Sequence, residues 1–277
     1  MQTQYAYLNG QVLPLAEASI SPTDIGLLRG YAVFDLLRTV GGRPFLLAEH
    51  LRRLRSSAAH LGLEVPATDG EIAVIVDDLL ARNEHAEATV RFVLTGGVSS
   101  DGMGFDPAAP TFLVLTHELH EPPEAVYENG VKLLTRQHCR EVPEAKTTNY
   151  LTMLVNRPLA VAEGAFDLLY LDGDTITEAA SASFYIVKDG VIHAPRAKVL
   201  WGTVGTYVLD LVRGTYDLVS RDIPLAEALD ADEAYLTSTT RGVVPVVRLD
   251  DNLIGDGVPG PVTRDLMQRF RKAALGA

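Results

Sequence analysis

Hydrophobic and polar positions along the first 117 residues predict strands and helices in alternation. Residues 31–40 are mostly apolar and end at a Gly-Gly pair, which is typical of a strand followed by a turn. Apolar residues recur at helical spacing over 48–61 and again over 70–81, so two helices are predicted there. The Asn9-Gly10 pair predicts a hairpin near the start. Two further strands are predicted over 89–95 and 111–116.

The remainder of the chain contains more predicted strands, punctuated by Asp-Gly turn signals. A helix is predicted over 150–163, because Gly164 is a favourable helix end, and others from about residue 206 and over 262–274. The predicted strands cover residues 131–135, 168–171, 184–187 and 191–193.

Two features divide this pattern into domains. Pro122-Pro123 favours an extended connector, so we place a linker over 118–125 between domains of residues 1–117 and 126–277. Residues 96–110 are rich in Gly, Ser and Asp and predict a long loop of the kind that often has a function. The predicted fold class is mixed α/β: a small N-terminal domain and a larger domain with a more barrel-like sheet.

Composition and charge narrow the function. The net charge is −12 without any basic run, which disfavours nucleic acid as a partner. The single cysteine, Cys139, permits no intrachain disulfide, and neither a signal peptide nor an apolar run of membrane-spanning length is evident. We therefore expect a soluble cytoplasmic protein. The seven histidines lack zinc-site spacing, so no metal is expected.

Two isolated residues are candidates for chemistry. Lys146 lies between a predicted strand and a predicted helix among small and hydroxylated residues, where desolvation would make it a nucleophile or base. Glu178 follows a predicted hairpin and precedes small residues that leave room for a planar ring beside its carboxylate. Taken alone, Lys146 also fits an ordinary surface lysine, and Glu178 also fits a carboxylate that caps a turn.

Three segments are candidates for binding an anion. Residues 200–206, Leu-Trp-Gly-Thr-Val-Gly-Thr, precede a predicted helix whose N-terminal N–H groups favour phosphate. Residues 237–240 offer hydroxyl donors after a strand-like segment. Arg53 belongs to a predicted helix, and its guanidinium suits phosphate if it points inward. A solvated loop or a solvated arginine remains the alternative for each.

Together these segments match one family in the same order along nearly the whole chain. The sequence resembles the class IV aminotransferases, which are pyridoxal-phosphate enzymes of fold type IV. The matching pieces are Gly30-Tyr-Ala-Val-Phe34-Asp35-Leu-Leu-Arg38-Thr, His50-x-x-Arg53-Leu-x-x-Ser57-Ala58, Lys146-Thr-Thr-Asn-Tyr150-Leu, Ile176-Thr-Glu178, Leu200-x-Gly202 and Thr237-Ser-Thr-Thr240.

The resemblance implies a role for each of these residues and a homodimer with sites at the subunit interface. Lys146 would bind pyridoxal 5'-phosphate covalently and then move a proton between substrate and cofactor. Tyr150 would bond the cofactor's phenolic oxygen, and Glu178 would keep its pyridine nitrogen protonated. The phosphate would be held by Arg53, Thr239 and the backbone of Thr203 and Val204. Relatives usually have Gly-Ile-Thr where this chain has Gly-Thr-Val, which displaces one hydroxyl by a residue.

Substrate preference is less clear from the resemblance. The usual D-amino acid subgroup has Val-Thr-Arg-Gly where this chain has Leu-Thr-Gly-Gly at 94–97, and branched-chain enzymes have Phe-Glu-Gly where it has Phe-Asp-Leu at 34–36. Arg29 and Arg91 resemble a less common arrangement of D-amino acid transaminases with differently placed arginines, and a guanidinium binds a carboxylate bidentately. Ion pairing with the surplus acids is the alternative. Phe34 and Thr240 complete the predicted substrate contacts.

The sequence thus predicts an aminotransferase that moves an amino group from a D-amino acid, such as D-alanine or D-glutamate, to a 2-keto acid such as 2-oxoglutarate. Transamination of branched-chain L-amino acids is the nearest alternative. A lyase of the aminodeoxychorismate type and a cofactor-binding protein without turnover are the remaining ones.

Overall fold

A computed structural model describes residues 3–276 of the chain, which form two compact units. The first unit comprises the described residues up to His120 together with Glu144–Asn149, and the second comprises Glu121–Pro143 and the described residues from Tyr150 onward. The mixed α/β class is confirmed, whereas the domain limits drawn from the sequence stay a prediction.

The first unit contains a six-stranded sheet with two long helices. Its strand order is β2-β1-β6-β5-β3-β4, and all the pairs are antiparallel. In chain order the elements are β1 Tyr5–Leu8, β2 Gln11–Pro14, a 3-10 helix Leu15–Glu17, α1 Ile25–Arg29, β3 Ala32–Val40, β4 Arg43–Pro44, α2 Leu47–His60, α3 Asp69–Asn83, β5 Ala88–Thr95 and β6 Thr111–Glu118.

Period-2 alternation in β3 separates two groups of side chains. Val33 and Leu37 point to the face that packs against α2 and α3, in a core that includes Leu51 and Ile72. Phe34, between them, points to the opposite face. The strand therefore has a helix-covered face and a second face that is available for other contacts.

The second unit contains a ten-stranded mixed sheet. Its order is β12-β11-β10-β14-β15-β7-β8-β9-β13, with β16 beside β15. The elements are α4 Glu124–Asn129, β7 Val131–Gln137, α5 Leu151–Ala162, β8 Asp167–Asp172, β9 Thr175–Ala179, β10 Ser183–Lys188, β11 Val191–Pro195, α6 Thr203–Leu211, β12 Leu218–Arg221, β13 Ile223–Pro224, α7 Leu225–Leu229, β14 Glu233–Ser238, β15 Gly242–Leu249, β16 Asn252–Leu253 and α8 Pro261–Leu275. Its barrel-like character stays a prediction.

The predicted elements are found, with some differences at their ends. Asn9 and Gly10 both have positive φ, +46° and +93°, as a two-residue hairpin turn requires, so the predicted hairpin is confirmed. Helix α4 was not predicted, since it begins directly after Pro123, and proline is tolerated at a helix start. Helix α6 begins three residues earlier than residue 206, because Gly202 is its N-cap.

No helix among residues 3–276 combines the length and the apolar character needed to cross a bilayer. Within the same residues, no group of three or more His, Cys, Asp or Glu side chains could hold a metal ion.

Candidate active site

In the first unit, the main chain at Lys146 is bound to the edge of β3 and to α2. The Lys146 carbonyl accepts a hydrogen bond from the Phe34 N–H at 2.9 Å, and the Thr148 N–H donates to the Ala32 carbonyl at 3.1 Å. On the other side, the Lys146 N–H donates to the Ser57 hydroxyl of α2 at 3.0 Å. Both backbone groups of the lysine are therefore satisfied, and its position is fixed by two elements.

The side chain of Lys146 shares an aromatic neighbour with Arg91. The Lys146 ammonium lies 4.6 Å from the centre of the Phe34 ring, and the Arg91 guanidinium lies 5.1 Å from the same centre. Phe34 is buried, and Arg91 reaches it from β5, the strand next to β3. The structure thus places two predicted site residues, Lys146 and Arg91, against the ring of a third, Phe34.

Arg53 is held by a buried carboxylate on the helix-covered face of β3. Its Nε donates to Asp35 Oδ2 and its Nη2 to Asp35 Oδ1, both at 2.8 Å, while His50 Nδ1 bonds Oδ1 at 2.7 Å. Burial alone would raise the pKa of the Asp35 carboxyl, but Arg53 and His50 together hold that pKa well below its usual range. Asp35 is therefore an anion that fixes the orientation of the arginine.

Arg29 lies at the exposed end of α1 and takes part in a different set of contacts. Its Nε donates to the Gly102 carbonyl at 3.1 Å and its Nη1 to the Leu28 carbonyl at 3.4 Å. The bond to Gly102 connects α1 with the predicted long loop of residues 96–110, and the bond to Leu28 stays within α1. The structure therefore places Arg91, and not Arg29, over the Phe34 ring.

In the second unit, Glu178 on β9 is nearly buried and paired. Arg140 Nε donates to Glu178 Oε1 at 2.6 Å, and the Leu200 N–H donates to Oε2 at 3.3 Å. Arg140 also donates to the Pro143 carbonyl. Glu178 lines a small cavity together with Trp201 and with residues of β10 and β11. These charge-assisted bonds orient an ionised carboxylate along the cavity wall.

Near Glu178 lies a cluster of aromatic and acidic groups. Burial raises the pKa of the Tyr170 hydroxyl, and the acidic groups of Asp167, Tyr150 and Glu178 raise it further. The His138 ring contacts Tyr170 edge to face at 4.6 Å between ring centres. Tyr170 therefore stays protonated, and Tyr150 at the start of α5 lies close enough to influence it electrostatically.

The start of α6 forms an anion-binding arrangement against the sheet of the second unit. No side chain caps this helix, which begins with the predicted residues Thr203 and Val204, both buried. A Cβ on Gly205 would lie 2.2 Å from the Tyr185 hydroxyl and 2.8 Å from Thr237 Oγ1, so only glycine permits this close approach. Thr237 is buried, and its hydroxyl and that of Tyr185 both lie against the start of α6.

Thr239 and Thr240 lie in the turn that joins β14 and β15 and are half-buried. The neighbouring Arg241 donates to Ser238 Oγ at 2.7 Å and to the Ser181 carbonyl at 2.9 Å, and it pairs with Asp167. The turn is therefore anchored by Arg241, which leaves the two threonines at its tip.

Sequence reasoning assigned no role to Ser57, Asp35, His50 or Arg140. The first three stood within the matched motifs, so their position was visible, but their partners were not. Arg140 precedes the lysine by six residues, and nothing in the sequence pattern links it to a glutamate 38 positions further on.

Comparison with known proteins identifies the family. Residues 32–249 match the model of amino-transferase class IV. The chain is 29% identical over 278 residues to D-alanine aminotransferase of Staphylococcus haemolyticus, with 96% of each chain covered. It is 30% identical over 277 residues to a Methanocaldococcus jannaschii protein named as a branched-chain-amino-acid aminotransferase, covering 96% of this chain and 94% of the relative.

A solved structure supports the same assignment. The T.th. branched-chain amino acid aminotransferase, crystallised with pyridoxamine 5'-phosphate, superposes with a TM-score of 0.89 at 26% identity, covering 100% of this chain and 95% of that chain. The chain belongs to the class IV aminotransferases. It is an enzyme that uses pyridoxal 5'-phosphate and acts on amino acids and keto acids.

Each of the two units contains groups of the kind that this cofactor requires. A covalently bound pyridoxal phosphate needs a reactive amine, an anion beside its ring nitrogen and a cradle for its phosphate. In the first unit, Lys146 offers an amine beside an aromatic ring. In the second unit, Glu178 offers an oriented carboxylate, and the start of α6, which no side chain of residues 3–276 caps, offers N–H donors of the kind that bind phosphate.

Proposed function

We propose that this aminotransferase takes its amino group from D-amino acids, D-alanine or D-glutamate, and gives it to a 2-keto acid such as 2-oxoglutarate. The observation that carries the proposal is the Arg91 guanidinium over the Phe34 ring that also contacts the Lys146 ammonium. Arg91 is half-buried, and no carboxylate of residues 3–276 forms an ion pair with it. A substrate carboxylate would supply the missing partner, because guanidinium binds carboxylate bidentately.

The similarity to curated relatives is compatible with this assignment. The Staphylococcus haemolyticus relative is named for D-alanine, while the Methanocaldococcus jannaschii relative is named for branched-chain amino acids at nearly the same identity. The names of these two relatives point to two donor classes, and Arg91 offers a partner for the carboxylate that donors of both classes carry. Arg29 is proposed as a second carboxylate contact, with Phe34 and Thr240 lining the substrate site.

The roles of the cofactor-binding residues follow from the same proposal. Lys146 would be the point of covalent attachment and would then carry a proton to and from the substrate carbon. Tyr150 would donate to the phenolic oxygen, and Glu178 would keep the ring nitrogen protonated. The phosphate would be bound by Arg53, Thr239 and the N–H groups of Thr203 and Val204. When bound, the cofactor withdraws electrons from the substrate carbon and carries the amino group between the two substrates.

Transamination of branched-chain L-amino acids is the second candidate. It is favoured by the apolar residues beside Phe34 on the same face of the sheet, Leu36 on β3 and Val93 on β5, which would suit an aliphatic side chain. The α-carboxylate of a branched-chain donor would also find a partner in Arg91, so the half-reaction below decides between the two candidates.

A half-reaction separates the two candidates. Purified holoenzyme is mixed with D-alanine, D-glutamate, L-leucine or L-valine without any keto acid, and the conversion of the cofactor to its pyridoxamine form is followed by absorbance. We expect fast conversion by the D-amino acids and a large loss of that rate in Arg91→Leu. Conversion by L-leucine or L-valine alone would overturn the proposal, and Lys146→Ala serves as the unreactive control.

We also propose that the enzyme is a homodimer. Helix α5 exposes five large apolar side chains, of which Leu151, Leu154, Val155 and Val161 are each at least 60% exposed. An apolar helix surface of this kind is typical of a protein interface. Analytical ultracentrifugation of the purified protein at micromolar concentration should give twice the mass of one chain, and a monomer there would contradict the proposal.

A further inference from the structure

We propose that Ser57 is a positioning residue that fixes the main chain at Lys146, and that this bond sets the rate at which the lysine reacts. The inference rests on the proposed role of Lys146 as the point of cofactor attachment. Ser57 itself touches neither substrate nor cofactor in this proposal. Its action passes entirely through the backbone N–H of the lysine.

Ser57 contacts the lysine backbone from within α2. It lies in the third turn of α2, is fully buried, and accepts the Lys146 N–H at 3.0 Å across 89 positions of sequence. A hydroxyl in a buried helical position usually has no advantage over alanine, which is the better helix former. The hydrogen bond that the Ser57 hydroxyl accepts from the Lys146 N–H therefore explains why a polar side chain is found at this buried position.

The Ser57 bond acts together with the contacts of β3. The Phe34 N–H bonds the Lys146 carbonyl, and Val33 and Thr147 form an antiparallel bridge, so β3 holds the residue from one side while α2 holds it from the other. The Lys146 ammonium is then directed to the Phe34 ring. Loss of the Ser57 acceptor would leave a backbone N–H without a partner and one of the two restraints missing.

The same helix also carries Arg53, one turn earlier. Because Arg53 and Ser57 are four residues apart, they lie on one face of α2. Asp35 of β3 orients the arginine, and the neighbouring Phe34 bonds the lysine backbone. The β3–α2 pair therefore sets both the direction of the guanidinium and the position of the amine, and Ser57 is the side chain that connects the helix to the amine.

The test compares Ser57→Ala with Ser56→Ala, the same change at an exposed neighbour on the same helix. We expect kcat of Ser57→Ala to fall by about 10- to 100-fold, because small displacements of a reacting group have effects of this order. KM and the dissociation constant of pyridoxal 5'-phosphate should change by less than about threefold, since the residues proposed to bind substrate and phosphate stay in place. Ser56→Ala should behave as wild type.

Two measurements do not depend on turnover. Hydrogen exchange of the Lys146 amide should be faster in Ser57→Ala and unchanged in Ser56→Ala. Borohydride reduction of the holoenzyme, followed by peptide mapping, should place the cofactor on Lys146 in all three proteins, with slower attachment to the apo-protein of Ser57→Ala. Ser57→Cys, which keeps a weak acceptor of similar size, should recover part of the rate.

Two outcomes overturn the inference in different ways. If the cofactor maps to Lys146 but Ser57→Ala keeps wild-type kcat or wild-type amide exchange, the positioning role is wrong and the proposed function stands. If the cofactor maps to another lysine in the wild type, both fail together. Melting curves and circular dichroism identify a variant that is misfolded, and in that case Ser57→Cys decides.

Discussion

Two of the protein's carboxylate–arginine pairs, Asp35–Arg53 and Arg140–Glu178, differ in what each partner does. Asp35 is fully buried, and both of its oxygens are used by Arg53 and His50, so the carboxylate serves to orient a guanidinium. Glu178 is 11% exposed and lines a cavity, and Arg140 bonds one of its oxygens. In the first pair the carboxylate orients the arginine that we propose binds phosphate, and in the second the arginine orients the carboxylate that we propose lies beside the ring nitrogen.

This difference has an energetic counterpart. A buried ion pair affects the free energy of unfolding mainly when one partner is removed, because the remaining uncompensated charge is strongly destabilising. A carboxylate at a cavity wall is partly compensated by solvent or ligand, so its loss should affect chemistry more than folding. Substitutions at the two carboxylates should therefore separate stability from catalysis.

The largest effect is expected from Asp35→Asn. Removing this charge leaves the Arg53 guanidinium without its counter-ion in a nearly buried position, and we expect the free energy of unfolding to fall by about 3–5 kcal/mol. Chemical denaturation of the apo-protein measures the change. The matched control is Asp69→Asn, which breaks the exposed Arg55–Asp69 pair and should change stability by less than about 1 kcal/mol. If both variants lose the same free energy of unfolding, burial is not the reason why the Asp35 charge stabilises the fold.

Glu178→Gln should affect activity and leave stability nearly unchanged. The neutral amide cannot hold a proton on the ring nitrogen by charge, and we expect kcat to fall by about 10²- to 10³-fold, as when one preorganised electrostatic contact is removed. Steady-state kinetics and a melting curve are measured on the same preparation. Glu64→Gln, at an exposed glutamate, is the control. Near-wild-type kcat in Glu178→Gln would contradict the assigned role.

Acid should weaken the first pair. The pKa of Asp35 is held below its usual range in the folded state, so its contribution to stability is complete above the unfolded value of about 4 and is lost as the pH falls below it. The stability gap between wild type and Asp35→Asn should therefore shrink as the pH is lowered from about 5 to 3. If the stability difference stays constant over this pH interval, the charge of Asp35 is not what causes it.

The smallest effect is expected from Arg140→Lys. Lysine keeps the positive charge but lacks the planar fork that bonds Glu178 and the Pro143 carbonyl together. We expect kcat to fall by less than about tenfold, equivalent to about 1 kcal/mol, with a shift in the pH profile of the rate. Arg213→Lys, at a highly exposed arginine, controls for the substitution itself. A loss as large as that of Glu178→Gln would show that the arginine acts directly.

The sequence predicted more of the fold than of the contacts. Helices α2 and α3 and strands β3, β5 and β6 were predicted within a few residues, because their apolar spacing is regular. Helices α1, α4 and α7 have five or six residues each, too few for a period to show. Local spacing therefore suffices for the long elements and fails for the short ones.

In the candidate site, too, the sequence revealed local motifs but not the distant residues that contact them. Lys146 and Glu178 stood out through motifs that are local in sequence. The partners of these motifs come from elsewhere, since Ser57 is 89 positions from Lys146 and Arg140 is 38 positions from Glu178. Arg29 and Arg91 looked equivalent in the sequence, and only the pairing of β5 with β3 brings Arg91 to Phe34. Such pairings depend on topology, which composition and periodicity do not specify.

The attachment of Lys146 to β3 through main-chain atoms has a consequence for divergence. Hydrogen bonds from the Phe34 N–H and to the Ala32 carbonyl persist whatever side chains those positions carry. Mutation can therefore change the surface that β3 presents to a substrate while the main chain at Lys146 stays where it is. This chain is 29% identical to a relative named for D-alanine and 30% identical to one named for branched-chain amino acids, and an arrangement in which the backbone fixes Lys146 allows such divergence in donor.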